Sequence, residues 1–237
     1  MESSHNAEVI HQLSDWIETG FQTLEEIRLQ FAHILDKALL PTAPLRVDEP
    51  TRARLFEVAA HYLAEVKHFD GTGLIFQRQL VAEQASALEW WVREGDGPRR
   101  QDFVNDPNSA QFYDYEQLEW FRGGFGAEAR TIAGPYIDHF GVKDYITTWT
   151  IPLMVHNKTV GVVAADVKIA VLEQVLIPKL LRASKGRAAL VNETGQVIVS
   201  TIGPFSSGTL VETAPDGYTL LPLPVSEMEL SLLVEAE

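Results

Sequence analysis

The sequence contains no cysteine among its 237 residues. Disulfides, thiolate metal sites and a thiol nucleophile are thereby excluded. Basic residues are scarce: 19 Lys and Arg stand against 33 Asp and Glu, for a formal net charge of −14. A nucleic-acid surface needs clustered Lys and Arg, so the expectation is no nucleic-acid partner. No apolar run approaches the roughly 18 residues of a membrane-spanning helix. The longest, such as Val160–Val167, have the length of a strand. Met1–Ile10 shows no basic stretch followed by an apolar one. No secretory signal is therefore read, and the expectation is a cytoplasmic protein without a membrane partner.

Catalytic signatures are missing too. There is no Gly-x-x-x-x-Gly-Lys-Ser/Thr loop and no Gly-x-Ser-x-Gly elbow. Gly123-Gly124-Phe125-Gly126 is Gly-rich but carries no Lys, and a flexible loop is the plainer reading. None of the seven histidines (His5, His11, His33, His61, His68, His139, His156) belongs to a His-Glu-x-x-His set. No nucleophile–base pair or metal set stands out, so the expectation is a binding module, not an enzyme, with neither metal nor cofactor.

What is present is enough for one globular domain. Hydrophobic residues make up 46% and charged residues 22%, a balance that supports a core and excludes disorder. Residues 7–40 carry apolar side chains three or four apart (Ile10, Leu13, Ile17, Leu24, Ile27, Phe31, Ile34), which predicts one long helix. At 1.5 Å per residue it measures roughly 50 Å. Ile10, Ile17, Leu24 and Phe31 repeat every seven residues, which fits a dimerisation helix. A helix lying along its own domain fits equally, and the two are compatible. Pro41 and Pro44 end it. A second helix follows over 51–68, then strands at Leu74–Leu80 and Leu88–Arg93 after a turn at Gly71 and Gly73, a polar loop over 94–110 and a short helix over 115–122.

The second half alternates. Tyr145–Val155 and Thr159–Val167 form a hairpin around His156-Asn157-Lys158, Ala170–Leu181 is helical, and Arg187–Val191 and Gln196–Thr201 form a second hairpin. Tyr218–Leu223 and Met228–Val234 are further strands. The fold class is α+β: a long N-terminal helix plus a mostly antiparallel sheet flanked by helices. Residues 1–237 are read as one domain, with 1–45 as the long helix segment and 46–237 as the α+β body.

Residues 112–149 interleave aromatics with carboxylates: Phe112, Tyr113, Asp114, Tyr115, Glu116, Trp120, Tyr136, Asp138 and Trp149. Ring faces and carboxylates together suit a cation. An aromatic core with surface acids has the same composition. Asp166 ends the otherwise apolar strand Val160–Ala165, where a carboxylate is either a helix cap or a ligand partner.

Several pieces in order resemble the Cache sensor domains of bacterial receptors, which are PAS-like. They are Asp114-Tyr115, Trp120-Phe121, Gly134-Pro135-Tyr136-Ile137-Asp138, Val160-Gly161-Val162-Val163-Ala164-Ala165-Asp166, and Leu190–Ile198 around Asn192-Glu193-Thr194-Gly195. The resemblance implies ligand binding without chemistry. In amino-acid-binding members an Arg holds the ligand carboxylate and a strand-end Asp holds its amino group. Carried over, Tyr115, Trp120, Tyr136 and Asp166 match, whereas the Arg position holds Leu118. A carboxylate would lose a charge-assisted contact of about 1.5–3 kcal/mol there.

A small amine is accordingly the expected ligand. Tyr113, Asp114, Tyr115, Trp120, Tyr136, Asp138, Trp149 and Asp166 are the expected ligand-binding residues. Asp114, Glu116 or Asp138 would be available to a second positive group. A carboxylate ligand held by backbone amides and Arg122, Arg130 or Lys143 is the first alternative. An interaction protein with a vestigial pocket is the second. The chain is expected to pair as a homodimer through its first helix and to signal through a separate output protein.

Overall fold

The computed structural model describes residues 2–38, 44–82, 87–95, 97–138 and 144–236. Pro41, His139 and Lys143, named above, lie outside the described residues. The long helix, α1, spans Glu2–Ala38. Its apolar stripe, from Val9 through Leu13, Ile17, Phe21, Leu24, Ile27 and Phe31 to Leu35, is completely buried against the rest of the same chain. The seven-residue pattern therefore reflects packing within the molecule, and a second copy would meet the outward face instead. Helix α2, Glu49–Glu65, starts at Asp48, whose carboxylate accepts the Thr51 N–H at 2.9 Å. This is a conventional N-cap, with a proline in the first turn.

Among the described residues, ten strands divide between two antiparallel sheets. The first contains β1 (Gly71–Phe76), β2 (Leu88–Glu94), β3 (Gly97–Arg100), β4 (Thr131–Ile137), β5 (Tyr145–Val155) and β6 (Lys158–Lys168), in the order β3-β2-β1-β6-β5-β4. The long β5–β6 hairpin turns at His156 and Asn157, both at positive φ. Between β3 and β4 lie a 3₁₀ turn at Tyr115–Gln117, the single-turn helix α3 (Glu119–Phe121) and a π turn at Arg122–Gly126. Helix α4 (Ile169–Leu180) leads to the second sheet, β7 (Ala188–Val191), β8 (Val197–Ser200), β9 (Tyr218–Pro222) and β10 (Ser231–Glu235), in the order β8-β7-β10-β9. One continuous apolar core includes residues of α1, α2, α4 and both sheets. At about 1.5 Å per residue, α1 is long because it serves both: Ile10 borders β9 and β10, and Phe21 stacks on Trp149 of β5.

The α+β class and the two hairpins are as the sequence pattern indicated. Three segments differ. Gly71 and Gly73 were expected in a turn but belong to β1. A Cβ on Gly73 would lie 2.1 Å from the Glu89 carbonyl oxygen and 3.0 Å from the Trp90 ring, so glycine is what lets β1 and β2 pair this closely. Strand β3 falls in the stretch expected to be loop, and β4 had no strand expectation; proline and glycine interrupt its alternation. The Gly-rich stretch is neither a phosphate loop nor a free linker. Gly124 seats the π turn on the sheet, where a Cβ would lie 2.7 Å from Thr150 Oγ1 and from Val162.

Candidate ligand pocket

The first sheet has two unlike faces. Side chains alternate along a strand, and the register sorts them. Gly71, Gly73 and Ile75 of β1, Leu88 and Trp90 of β2, Ala164 and Asp166 of β6 and Thr148 of β5 share one face. Glu89, Trp91, Trp149 and Ala165 share the other, against α1 and α2. On β4 the register shifts between Ala133, opposite Thr148, and Tyr136, opposite Ile146. That bulge, at the cis Gly134–Pro135 bond, keeps Tyr136 on the first face. The Trp90 side chain lies over Gly71 and Gly73, and a concavity opens beside it at Ala164. Ile75, Leu88, Trp90, Phe103, Tyr113, Trp120, Tyr136, Asp138, Thr148, Ala164 and Asp166 line it, around a narrow cavity of about 20 Å³.

Asp166 is the chemical centre. It is 5% exposed, and Thr148 Oγ1 donates to its Oδ1 at 2.7 Å. Among the described residues no basic side chain forms an ion pair with it, and none lines the pocket. Burial pushes its carboxyl pKa up to about 8; the Thr148 hydrogen bond opposes this, and Asp138 and Asp70 add to the rise. Tyr136 Oη lies 2.5 Å from Thr148 Oγ1. Since the single Thr148 proton goes to Asp166, the Tyr136 hydroxyl donates to Thr148. Burial also raises the phenols of Tyr113 and Tyr136 well above their ordinary value, helped by the nearby acids. Both hydroxyls therefore stay neutral.

Trp120 closes the pocket. Its carbonyl accepts from Thr150 Oγ1 at 3.0 Å and its ring stacks on Tyr115. Its indole N–H is buried near the Tyr113 hydroxyl but outside hydrogen-bond geometry. A buried donor left unpaired costs about 1–3 kcal/mol, so it is a place for a ligand acceptor.

Five of the eight expected residues line the pocket: Tyr113, Trp120, Tyr136, Asp138 and Asp166. Three do not. Trp149 is on the opposite face, stacked on Phe21 and edge-on to Trp16; its parity with Thr148 excludes it from the pocket. Tyr115 lies beneath Trp120, and its hydroxyl donates to the Phe76 carbonyl at 2.7 Å. Asp114 pairs with Arg78 at 3.0 Å, and so does Glu116 at 3.2 Å, so neither awaits a ligand cation. Arg78 also donates to the Tyr113 carbonyl at 2.6 Å and lies 4.0 Å over the Tyr115 ring. It thereby fixes the segment that carries Tyr113 into the pocket. The alternative carboxylate holders are elsewhere: Arg122 bonds Gln117, and Arg130 pairs with Glu18 of α1 at 2.8 Å. Thr148, Trp90 and Phe103 were not expected in the site. The period-two pattern running through Asp166 and its neighbours on β5 was the available signal for Thr148; nothing local marks Phe103.

The family model of the methyl-accepting chemotaxis protein-like, first PDC sensor domain matches residues 56–174, half of the chain. The chain belongs to this family. The match contains every residue that lines the pocket and ends inside α4, before the second sheet. No curated protein matches in sequence. Among solved structures, the ligand-binding domain of the Pseudomonas aeruginosa PAO1 amino acid chemoreceptor PctC, in complex with GABA, is 16% identical; the alignment covers 98% of this chain and 97% of that one with a TM-score of 0.60. The ligand-binding domain of the Pseudomonas fluorescens chemoreceptor CtaA, in complex with L-isoleucine, is also 16% identical, covering 97% and 88% with a TM-score of 0.63. The Pseudomonas aeruginosa PctB domain, in complex with L-Arg, is 15% identical, covering 98% and 91% with a TM-score of 0.60. At such identity these likenesses establish the fold over both sheets. The PDC domain is thus a Cache-type small-molecule sensor module.

Proposed function

We propose that the pocket of this PDC domain binds a small amine, with its ammonium on Asp166 and its carbons against Trp120, Tyr113, Tyr136 and Trp90. One observation carries the reading: Asp166 is a buried carboxylate with no cationic partner, in an aromatic-walled pocket without a basic lining residue among those described. Burying such a group is costly, and a cation that enters recovers the cost. Asp138 adds a second carboxylate to the same wall. Calorimetry with a panel of short amines, amino acids and organic acids tests it. The expected result is saturable binding of amines, weakened at least about 100-fold in Asp166→Asn, as loss of a buried charge-assisted contact implies. An organic acid as the best ligand, or unchanged amine binding in Asp166→Asn, overturns it.

A second reading is an amino acid whose ammonium meets Asp166 and whose carboxylate meets the Trp120 N–H. The unpaired indole N–H favours it, and so do the amino acids bound by the similar chemoreceptor domains. Leu118 in place of Arg weighs against it. The same panel separates the two, because an amino acid would then bind more tightly than the amine of equal length.

For output, we propose that two copies pair through the outward face of α1 and that ligand shifts their arrangement for a separate partner protein to sense. The length of α1 and its exposed Leu29 support this. Sedimentation with and without ligand checks the pairing.

A further inference from the structure

Building on the amine reading above, we propose that the ligand carries an apolar tail, and that this tail occupies a second space behind Trp120. An open notch of about 250 Å³ lies there, lined by Leu118, Glu119, Trp120, Pro135, Tyr136 and Gln196. Trp120 and Tyr136 line both spaces, so their side chains form a shared wall between the two.

The two partition residues are held differently. Tyr136 is tied to Thr148 through its hydroxyl. The Trp120 ring stacks on Tyr115 and meets Phe121 edge-on, and its buried N–H has no hydrogen-bond partner among the described residues. Turning the indole therefore breaks no hydrogen bond, and a new position gives the N–H the chance to find a partner. Trp120 is the gate.

The walls of the notch define the tail. Leu118, Pro135 and the two ring faces are apolar. The side chain at 118 faces this notch and not the acidic pocket. The one charged group at the rim is Glu119, a carboxylate whose pKa is raised by burial and by Glu193. A tail that ends in a carboxylate would meet repulsion there. The ligand class is thus an amine with several carbons and no distal carboxylate. Gln196 precedes β8 of the second sheet, so a tail in the notch touches both halves of the molecule, whereas the pocket alone touches the first.

The test is calorimetry of the whole chain with propylamine, pentylamine, heptylamine and 5-aminovalerate at pH 8.5, where Asp166 is ionised and the amines are still cationic. Affinity is expected to rise about fourfold per methylene, the factor that corresponds to about 0.8 kcal/mol per buried methylene. Pentylamine should bind more tightly than 5-aminovalerate. Leu118→Trp, which fills the notch, should leave propylamine within about twofold and flatten the dependence on length; Gln196→Trp repeats the test from the other wall. Propylamine binding with no gain for longer chains, or a full gain that survives both variants, overturns the tail site and leaves the amine reading standing. Failure of every amine, propylamine included, overturns the amine reading and the tail site with it.

Discussion

Glu89 and Asp166 are buried carboxylates on opposite faces of the first sheet, and the two are treated in opposite ways. Glu89, on the helix side, is fully buried. It accepts from Arg52 Nε at 2.9 Å and Nη2 at 2.9 Å, and from Arg100 Nε at 3.2 Å. Its charge is neutralised from α2 and β3, and the group fastens those elements to β2. Asp166, on the pocket side, has one hydroxyl and, among the described residues, no cation. A fold has no structural reason to keep a carboxylate in that state, since burial without compensation is destabilising. The contrast between the two faces shows which buried charge serves the fold and which awaits something from outside.

Substitutions on the helix side should damage stability and spare binding. Trp149→Ala removes a fully buried ring that α1 packs against, at a cost of about 3–5 kcal/mol. Glu89→Ala removes the buried partner that Arg52 and Arg100 share and should cost about 3 kcal/mol, near the lower end for a broken buried pair because both arginines reach solvent and retain Glu49 and Asp102. Urea titration measures both. Amine affinity, per folded molecule, should be within about twofold of the parent in each. A large loss of affinity in either would erase the distinction between the faces.

Asp166→Asn should do the reverse, and the pH dependence gives its sign. The Asp166 carboxyl has a folded pKa of about 8 against an ordinary 3.8. The folded state therefore holds a proton that the unfolded state has released between these values. Stability falls as pH rises through that window, by up to about 1.4 kcal/mol per unit for one proton. Asp166→Asn should flatten the fall, so that the variant is the more stable protein at pH 8 while binding no amine. Bound amine should restore the parent at pH 8. Thermal melts across pH 4–9 check this; identical pH profiles for parent and variant would sink it.

The sequence made the pocket face more legible than its surroundings. Asp166, Trp120 and Tyr136 were recognisable because a carboxylate closing an apolar strand and aromatics beside acids are locally unusual. The long α1 was evident from its spacing, but which surface its stripe covers depends on distant strands. Trp149 was misplaced because composition alone was weighed where period-two parity decides: Thr148 and Trp149 are neighbours in sequence and opposite in direction. Asp114 and Glu116 were offered to the ligand because their partner, Arg78, lies more than 30 residues away, in a turn with no pattern of its own. The division into two sheets was hidden for a similar reason, since α4 can be followed by a strand of either sheet.

Thr148 supplies the finest probe of the contrast, because among the described residues its side chain is the one that donates to the Asp166 carboxylate. Its hydrogen bond favours the ionised carboxylate and so opposes the effect of burial. Thr148→Val preserves the shape of the side chain and removes the hydroxyl. The Asp166 carboxyl should then move further up, by about one pH unit for a hydrogen bond to a charged group. The Tyr136 hydroxyl loses its acceptor in the same step. Amine binding requires the ionised form, so its lower pH limit should shift upward by that unit, with little change in affinity at pH 9.5. The equivalent change on the helix side, Thr147→Val, touches no carboxylate and should leave the profile where it was. Calorimetric affinity against pH for the two variants compares the faces at neighbouring positions of one strand. A shift produced equally by both, or by neither, would mean that Asp166 does not govern binding through its charge.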